Sequence, residues 1–462
     1  MGKCSVCEKE FEDKYFDVKQ NKCILHCDKH EENNWFKINK NNNTEWDTDK
    51  VKLFWKKIRS FISESQSGIS KIFPIPFNNI IFPKFEGNGL SSNVLGYENS
   101  FFTKEGEKKF TQIVNFRDCI FLDCVNFTNI QFEKDIVFSK CILKDEIKFK
   151  RQQNIRISFL ECPEIKSLDF SKIVFEQKVE IKECTINSCN FEDTRFKDFC
   201  DFEESTFNAI KFKNTVFEKL VTFQKTKFTE NVDFYYVTFK THSIFKNTIF
   251  EKTVNFENTL FEVDGSFYGI SSKEGKIEDI VVGNRETARI IKNSFEQQNN
   301  IIEANKFYAL EMEKREEELD KDITKGKNIT EWLIFKIHSI SSNHSQSAYL
   351  SFLWIFNLSY LYIIYCSTSS VIDNIIAFSA IAIILLSMID MKNALKIGLT
   401  ITLLEFLVFS NVRLDVISDK INPFSIMISW DEIPFNLLLF KVTIAYLIYQ
   451  FIVSVRQNTR RK

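Results

Sequence analysis

Between Phe116 and Phe267 a phenylalanine returns every five or six residues, so this stretch is one long internal repeat. A repeat limits the fold more tightly than any single motif does. In the second half, Phe217, Phe223, Phe228, Phe234, Phe239, Phe245, Phe250, Phe256, Phe261 and Phe267 alternate steps of six and five. Two positions before these rings sit small or β-branched residues, among them Val221, Thr226, Val232, Val237, Ser243, Thr248, Val254 and Thr259. In extended chain, i and i−2 share a face, so each short strand buries an aromatic and a small partner and turns the intervening Lys, Glu, Asn and Asp to water. The upstream half keeps the rule from Phe116 to Phe149 and from Phe170 to Phe212, with Leu143, Ile181 and Ile186 in the aromatic slot. Between Lys150 and Leu168 the pattern blurs, which predicts an irregular coil or bulged loop. Amphipathic helices are excluded, because steps of five and six do not follow an i, i+3, i+4, i+7 stripe.

A five-residue strand cannot bury a face alone, whereas coils stacked at about 4.8 Å bury a continuous column. A bulky central residue with a small residue two before it resembles the pentapeptide-repeat family. The resemblance covers about 150 of the 462 residues, and it implies a right-handed quadrilateral β-helix. This chain differs in using Phe at the centre and in adding a sixth residue to alternate units, which predicts about 22 residues per coil and about seven coils. The fold class expected is therefore a mainly β repeat, followed by a connector helix and an α-helical membrane domain of four transmembrane helices. The boundaries expected are 1–60 for a Cys/His module, 61–109 for a linker and β-helix entry, 110–283 for the β-helix, 284–345 for the connector and 346–462 for the membrane domain.

The membrane expectation rests on composition after about residue 345. Ala348–Cys366, Val371–Ile389, Ala394–Phe409 and Phe435–Val455 are apolar runs close to the roughly 20 residues that cross a hydrocarbon core. The N-terminal sequence MGKCSVCEKEFEDKYF has no apolar run of a signal peptide, so the large N-terminal part is expected in the cytosol. Lys392 and Lys396 between the second and third runs, and Arg456, Arg460, Arg461 and Lys462 after the fourth, then lie on the same side. A multi-pass protein of the cell (inner) membrane with both termini cytoplasmic is the expected localisation. Glu405 and Lys441 fall inside the third and fourth runs at similar depth, where they can pair; an ionisable group there marks either a structural pair or an ion path.

Twelve cysteines in a cytosolic setting are expected to be reduced. Cys119, Cys141, Cys184, Cys189 and Cys200 occupy the small i−2 slot and read as packing residues. The N-terminal group differs: Cys4-x2-Cys7, then Cys23-Ile-Leu-His26-Cys27-Asp-Lys-His30. Two such turns direct soft ligands at one tetrahedral ion, so a structural zinc is expected on Cys4, Cys7 and Cys23, with His26, Cys27 and His30 competing for the fourth place. Myristoylation at Gly2 is disfavoured because position 6 is Val6 and not Ser or Thr.

Arg285–Lys321 reads as one long charged helix, either a solvated spacer or a coiled coil through which the chain forms a homo-oligomer. Its segment Asn305-Lys-Phe-Tyr-Ala-Leu-Glu-Met312 and the final span with Arg456 and Arg460-Arg461 are similar to bacterial membrane-anchored pentapeptide-repeat proteins, which implies the same architecture here. Enzyme signatures such as Gly-x-Ser-x-Gly, a phosphate-binding Gly-x4-Gly-Lys loop or His-Glu-x-x-His do not occur. The function expected is a non-catalytic platform whose β-helix binds a protein partner beside the lipid bilayer, the alternative being a channel or transporter regulated by the repeat. Mimicry of nucleic acid, known in the family, fails on charge, and no nucleic-acid partner is expected. Residues 110–267 carry 22 basic and 25 acidic side chains, far short of a duplex with one charge per roughly 1.7 Å.

Overall fold

The computed structural model describes residues 2–40, 44–85, 101–102, 109–128, 130–149, 152–367, 422–423 and 434–459. They fall into two compact units, Met1–Phe295 and Glu296–Lys462.

The first unit is a β-solenoid. Strands beginning at Ile75, Val114, Ile136, Ile157, Val179, Cys200, Val221 and Ser243 pair in parallel as one eight-stranded sheet, so about seven coils stack between first and last. An eleven-stranded sheet and a six-stranded sheet form the other faces. The repeat therefore begins at Ile75, upstream of residue 110, and its first coil is interrupted by a long insertion between Phe82 and Lys109.

The parallel register stacks like on like. Phe212, Phe234 and Phe256 lie with ring centroids 4.8 and 4.7 Å apart. Phe175, Phe196 and Phe217 are spaced 5.1 and 4.9 Å, and Phe223, Phe245 and Phe267 are spaced 4.9 Å. Phe207, Phe228 and Phe250 form the fourth column. Neighbouring columns meet edge to face, as in Phe223 against Phe234 at 81°, the geometry the ring quadrupole favours. These rings are almost wholly buried, so the interior is packed with side chains and is not a pore.

Coil length is not a constant 22. Val114 pairs with Ile136, 22 residues on, but Val179 pairs with Cys200, only 21 on. Two kinds of corner explain this. In many five-residue steps the second residue after the Phe takes a left-handed conformation, for example Glu204, Asn214, Lys225, Tyr236 and Asn247, which turns the chain tightly. In the shorter coils one further corner is crossed by a continuous strand, Thr185–Asn190 or Thr206–Lys211, with no extra residue. The blurred stretch between Lys150 and Leu168 is mostly regular: Ile157–Leu160 pairs on both sides and Ile165 and Leu168 are buried. The irregularity lies earlier, as a register shift between Leu143 and Glu146.

Both ends are covered, as a solenoid requires. Helix α1 (Thr48–Ser65), with Asp47 accepting from the N–H groups of Asp49 and Lys50 at its start, buries Phe54 and Trp55. These rings meet Phe82, and Phe61 meets Phe77, on the first coil. At the other end α2 (Arg285–Gln297) buries Ala288, Ile291 and Phe295, and Ser294 Oγ donates to the Gly265 carbonyl at 2.5 Å.

The expected single helix Arg285–Lys321 is two helices. The chain breaks after Gln297, Asn299 turns left-handed, and the Asn300 side chain caps α3 (Ile301–Ile323). Ile291 and Phe295 are apolar because they cap the solenoid. In the second unit α3 is followed by α4 (Ile329–Ser342), α5 (Ala348–Ser367) and α6 (Phe435–Thr459). Helices α5 and α6 pack antiparallel, Phe352 near Phe451 and Tyr362 stacked 4.0 Å from Phe440. Helix α6 contains the one stretch among the described residues, Phe435–Gln457, that is long and apolar enough to cross a membrane. The runs 371–389 and 394–409 and Glu405 lie outside the described residues.

Candidate metal centre

Two short hairpins bring the cysteines together. Gly2–Lys3 pairs antiparallel with Glu10–Phe11 around Cys4 and Cys7, and Phe16–Asp17 pairs with Lys22–Cys23. The turn after Cys23 is closed by the N–H groups of His26 and Cys27, both donating to the Cys23 carbonyl at 2.9 Å. The ligand atoms of Cys4, Cys7, Cys23 and His26 all lie within 4.8 Å of one another. His26 Nδ1 is 3.1 Å from Cys23 Sγ and 3.6 Å from Cys4 Sγ. A zinc tetrahedron with legs of about 2.3 Å to sulfur and 2.0 Å to nitrogen has S–N edges of about 3.5 Å, so the set fits a metal ion.

The three residues competing for the fourth place have separate fates. His26 is buried, and its Nε2 sits 3.2 Å from the carbonyl oxygen of Asn78. Burial pushes the imidazole pKa down, which favours the neutral ring. Its proton is then placed on Nε2, donating to Asn78, and the Nδ1 lone pair faces the sulfurs. Cys27 is equally buried but directs its Sγ toward the Ile24 carbonyl, 3.7 Å away. His30 is exposed and precedes a short 3-10 turn.

The thiols are not equivalent. At Cys4 burial pushes the pKa up, but the backbone N–H groups of Cys7, Cys23 and Val6 outweigh it and hold the thiol below its usual value. Burial pushes Cys7 and Cys23 up. A thiolate accepting from amides is the form a metal takes, and the Cys23 amide donates directly to Cys4 Sγ at 3.2 Å.

Two supporting residues were not legible in the sequence. Asn78 belongs to the first coil, 52 positions from His26, and nothing local announces it. Lys29 is 2% exposed, lies over the rings of Trp35 and Phe54 at 4.8 and 4.9 Å, and donates to the carbonyls of Ile24 and Cys27 at 3.1 and 3.2 Å. Burial pushes its pKa down to about 8. The only signal was a lysine next to the ligand run, where an exposed residue is the ordinary expectation.

In the second unit His338 and His344 come together, Nδ1 to Nδ1 at 3.3 Å, with His344 Nε2 3.2 Å from Glu316. Asn343, His344 and Ser345, which follow α4, are all left-handed. Lys441 is 4% exposed on α6.

Residues 170–216, 212–260 and 223–270 match the family model described as pentapeptide repeats (9 copies). Neither a curated protein nor a solved structure matches the chain significantly.

Proposed function

We propose that this pentapeptide-repeat chain is a membrane-anchored, non-catalytic interaction platform, stapled at its N-terminus by a structural zinc on Cys4, Cys7, Cys23 and His26. The observation that carries the reading is the filled interior. Phe columns occupy the core from Phe77 to Phe267 and helices cover both ends, so among the described residues the outer side faces are what the solenoid leaves free for recognition. That surface is laced with ion pairs between adjacent coils, Lys140–Glu161, Lys213–Glu192 and Lys182–Glu203 among them. It also carries an exposed aromatic pair: Tyr236, a left-handed corner residue, is 52% exposed and its ring lies 4.4 Å from that of Tyr235. Aromatic residues of this kind anchor protein interfaces, which favours this corner as the site for a protein partner.

Anchoring is supported by an inverted pattern in the second unit. Along α5 and α6, Phe352, Leu439, Val442 and Ile452 face outward while Ser351, Asn357, Lys441 and Ser454 are buried. A soluble helix does the reverse. With Val371–Ile389 and Ala394–Phe409 as the two further spans, four crossings leave both termini in the cytosol of a cell membrane.

The test is recovery of a partner by the full chain in detergent, compared with Tyr235→Ser/Tyr236→Asn. A specific protein retained by wild type and lost by the variant is expected. Equal recovery would place the partner elsewhere, and a catalysed turnover would end the platform reading. For the metal, native mass spectrometry of the full chain is expected to show one zinc, lost in Cys4→Ser and retained in Cys27→Ser and His30→Ala.

A further inference from the structure

Helix α4 is inside out. Its charged residues point at the protein: Glu331 pairs with Arg315 at 2.6 Å, and Lys336 pairs with Glu316 at 2.6 Å and Asp320 at 3.2 Å, all on α3. Trp332 Nε1 donates to Asp320 on the same side. Its aliphatic residues point away: Ile329, Leu333, Ile334, Ile337 and Ile340 are 57, 52, 62, 47 and 43% exposed. At 100° per residue these five fall within one arc of about 140°. A continuous apolar arc on a helix whose other face is already packed must be covered by something apolar.

We propose that α4 lies in the plane of the bilayer interface with this arc in the acyl boundary of one leaflet. The inference rests on the membrane anchoring proposed above and adds an element that no span requires. The 14 residues of α4 make a rod of about 21 Å, too short to cross about 30 Å of hydrocarbon. Lying flat, it buries its arc about 5–10 Å below the headgroups, as amphipathic interfacial helices do.

Two observations select lipid over a second copy of the chain. The first is continuity: Ser351 Oγ donates to the Ser341 carbonyl at 3.0 Å and Trp354 Nε1 to the Ile340 carbonyl at 2.9 Å. These bonds fasten the last turn of α4 to α5, whose Phe352 and Phe356 also face outward. The second is charge: just before the first turn of α4 the exposed Lys321, Lys325 and Lys327 outnumber Asp320 and Asp322, and the lysines meet anionic headgroups.

The experiment uses the full chain in vesicles of phosphatidylcholine with added phosphatidylglycerol. A fluorescent amino acid replaces Ile337 in one protein, Leu333 in a second and, as a solvent control, Lys227 on the solenoid in a third. Alkaline carbonate extraction reports anchoring separately. The probes at 337 and 333 are expected to lose most of their emission to bromine-labelled acyl chains and little to aqueous iodide, with the reverse at 227, in protein that carbonate does not release. Retention by carbonate with both α4 probes quenched by iodide overturns the interfacial placement and leaves anchoring standing. Probes shielded from both quenchers, in protein that cross-links as a dimer, assign the arc to a second copy and overturn the proposal. Release by carbonate overturns the anchoring reading and this inference with it.

Discussion

At the residue scale, the small slot two before each Phe does more than make room. Thr226 Oγ1 donates to the Phe202 carbonyl at 2.7 Å, and Ser205, Thr215, Thr248 and Thr259 make the same bond to the coil below. Earlier in the chain, in the column of Ser205, Thr226 and Thr248, Cys119, Cys141 and Cys162 direct Sγ at the carbonyls of Phe77, Phe116 and Phe138. The cysteines therefore share a hydrogen-bonding role with the hydroxyls, and Cys162, which the repeat pattern did not place, belongs with them. Thr226→Val keeps the volume and removes the donor, so it is expected to cost about 1–3 kcal/mol in urea unfolding of residues 1–298; no loss would show that the bond is dispensable. Glu180 offers a pH test. Burial pushes its carboxyl up, but Lys178, Ser158 and Arg156 outweigh this and hold it below the usual value of 4.5. A depressed folded pKa stabilises above the unfolded value, and the contribution is lost as pH falls through the folded one. Glu180→Gln is expected to cost about 1–2 kcal/mol at neutral pH, discounted because Arg156 is half exposed, and the gap from wild type should close under acid. A gap that persists unchanged would assign the loss to packing.

At the element scale, the N-terminal module and the repeat are one structure. The Trp55 indole donates to the Lys84 carbonyl at 2.9 Å, the Leu25 carbonyl accepts from Ile81 at 3.0 Å, and the metal-facing His26 rests on Asn78. Residues 1–298 are expected to run as a monomer with mainly β circular dichroism. Residues 67–298, which leave the Phe77 and Phe82 rings uncovered, are expected to self-associate or lose the first coil. A monomeric, equally stable 67–298 would refute the capping role. Within the stack, Phe234→Ala is expected to cost about 3–5 kcal/mol as a cavity between Phe212 and Phe256.

At the scale of the whole molecule, the platform and channel readings separate at Lys441. The platform reading takes Lys441 and Glu405, which lies outside the described residues, as a structural pair. Lys441→Met and Glu405→Gln alone are then expected to destabilise by about 3–5 kcal/mol, and the double exchange Glu405→Lys/Lys441→Glu to restore much of the loss. Proteoliposomes of wild-type chain should show no ion flux. Flux that Glu405→Gln eliminates, without a change in melting temperature, would establish the channel instead.

The sequence by itself determined the architecture of the repeat, because a same-face period of two and a ring every five or six residues admit only a stacked coil. It also determined that Cys4, Cys7 and Cys23 belong together, since that spacing is a local property of two turns. Tertiary structure decided the rest. Coils of 21 or 22 residues depend on which corner is crossed by a continuous strand, a choice set by the coils above and below. His26 rather than Cys27 or His30 faces the sulfurs because Asn78, remote in the chain, receives its other nitrogen. The direction of α4 was equally hidden: its composition is amphipathic either way, and only packing on α3 shows that the charged face is the one turned inward.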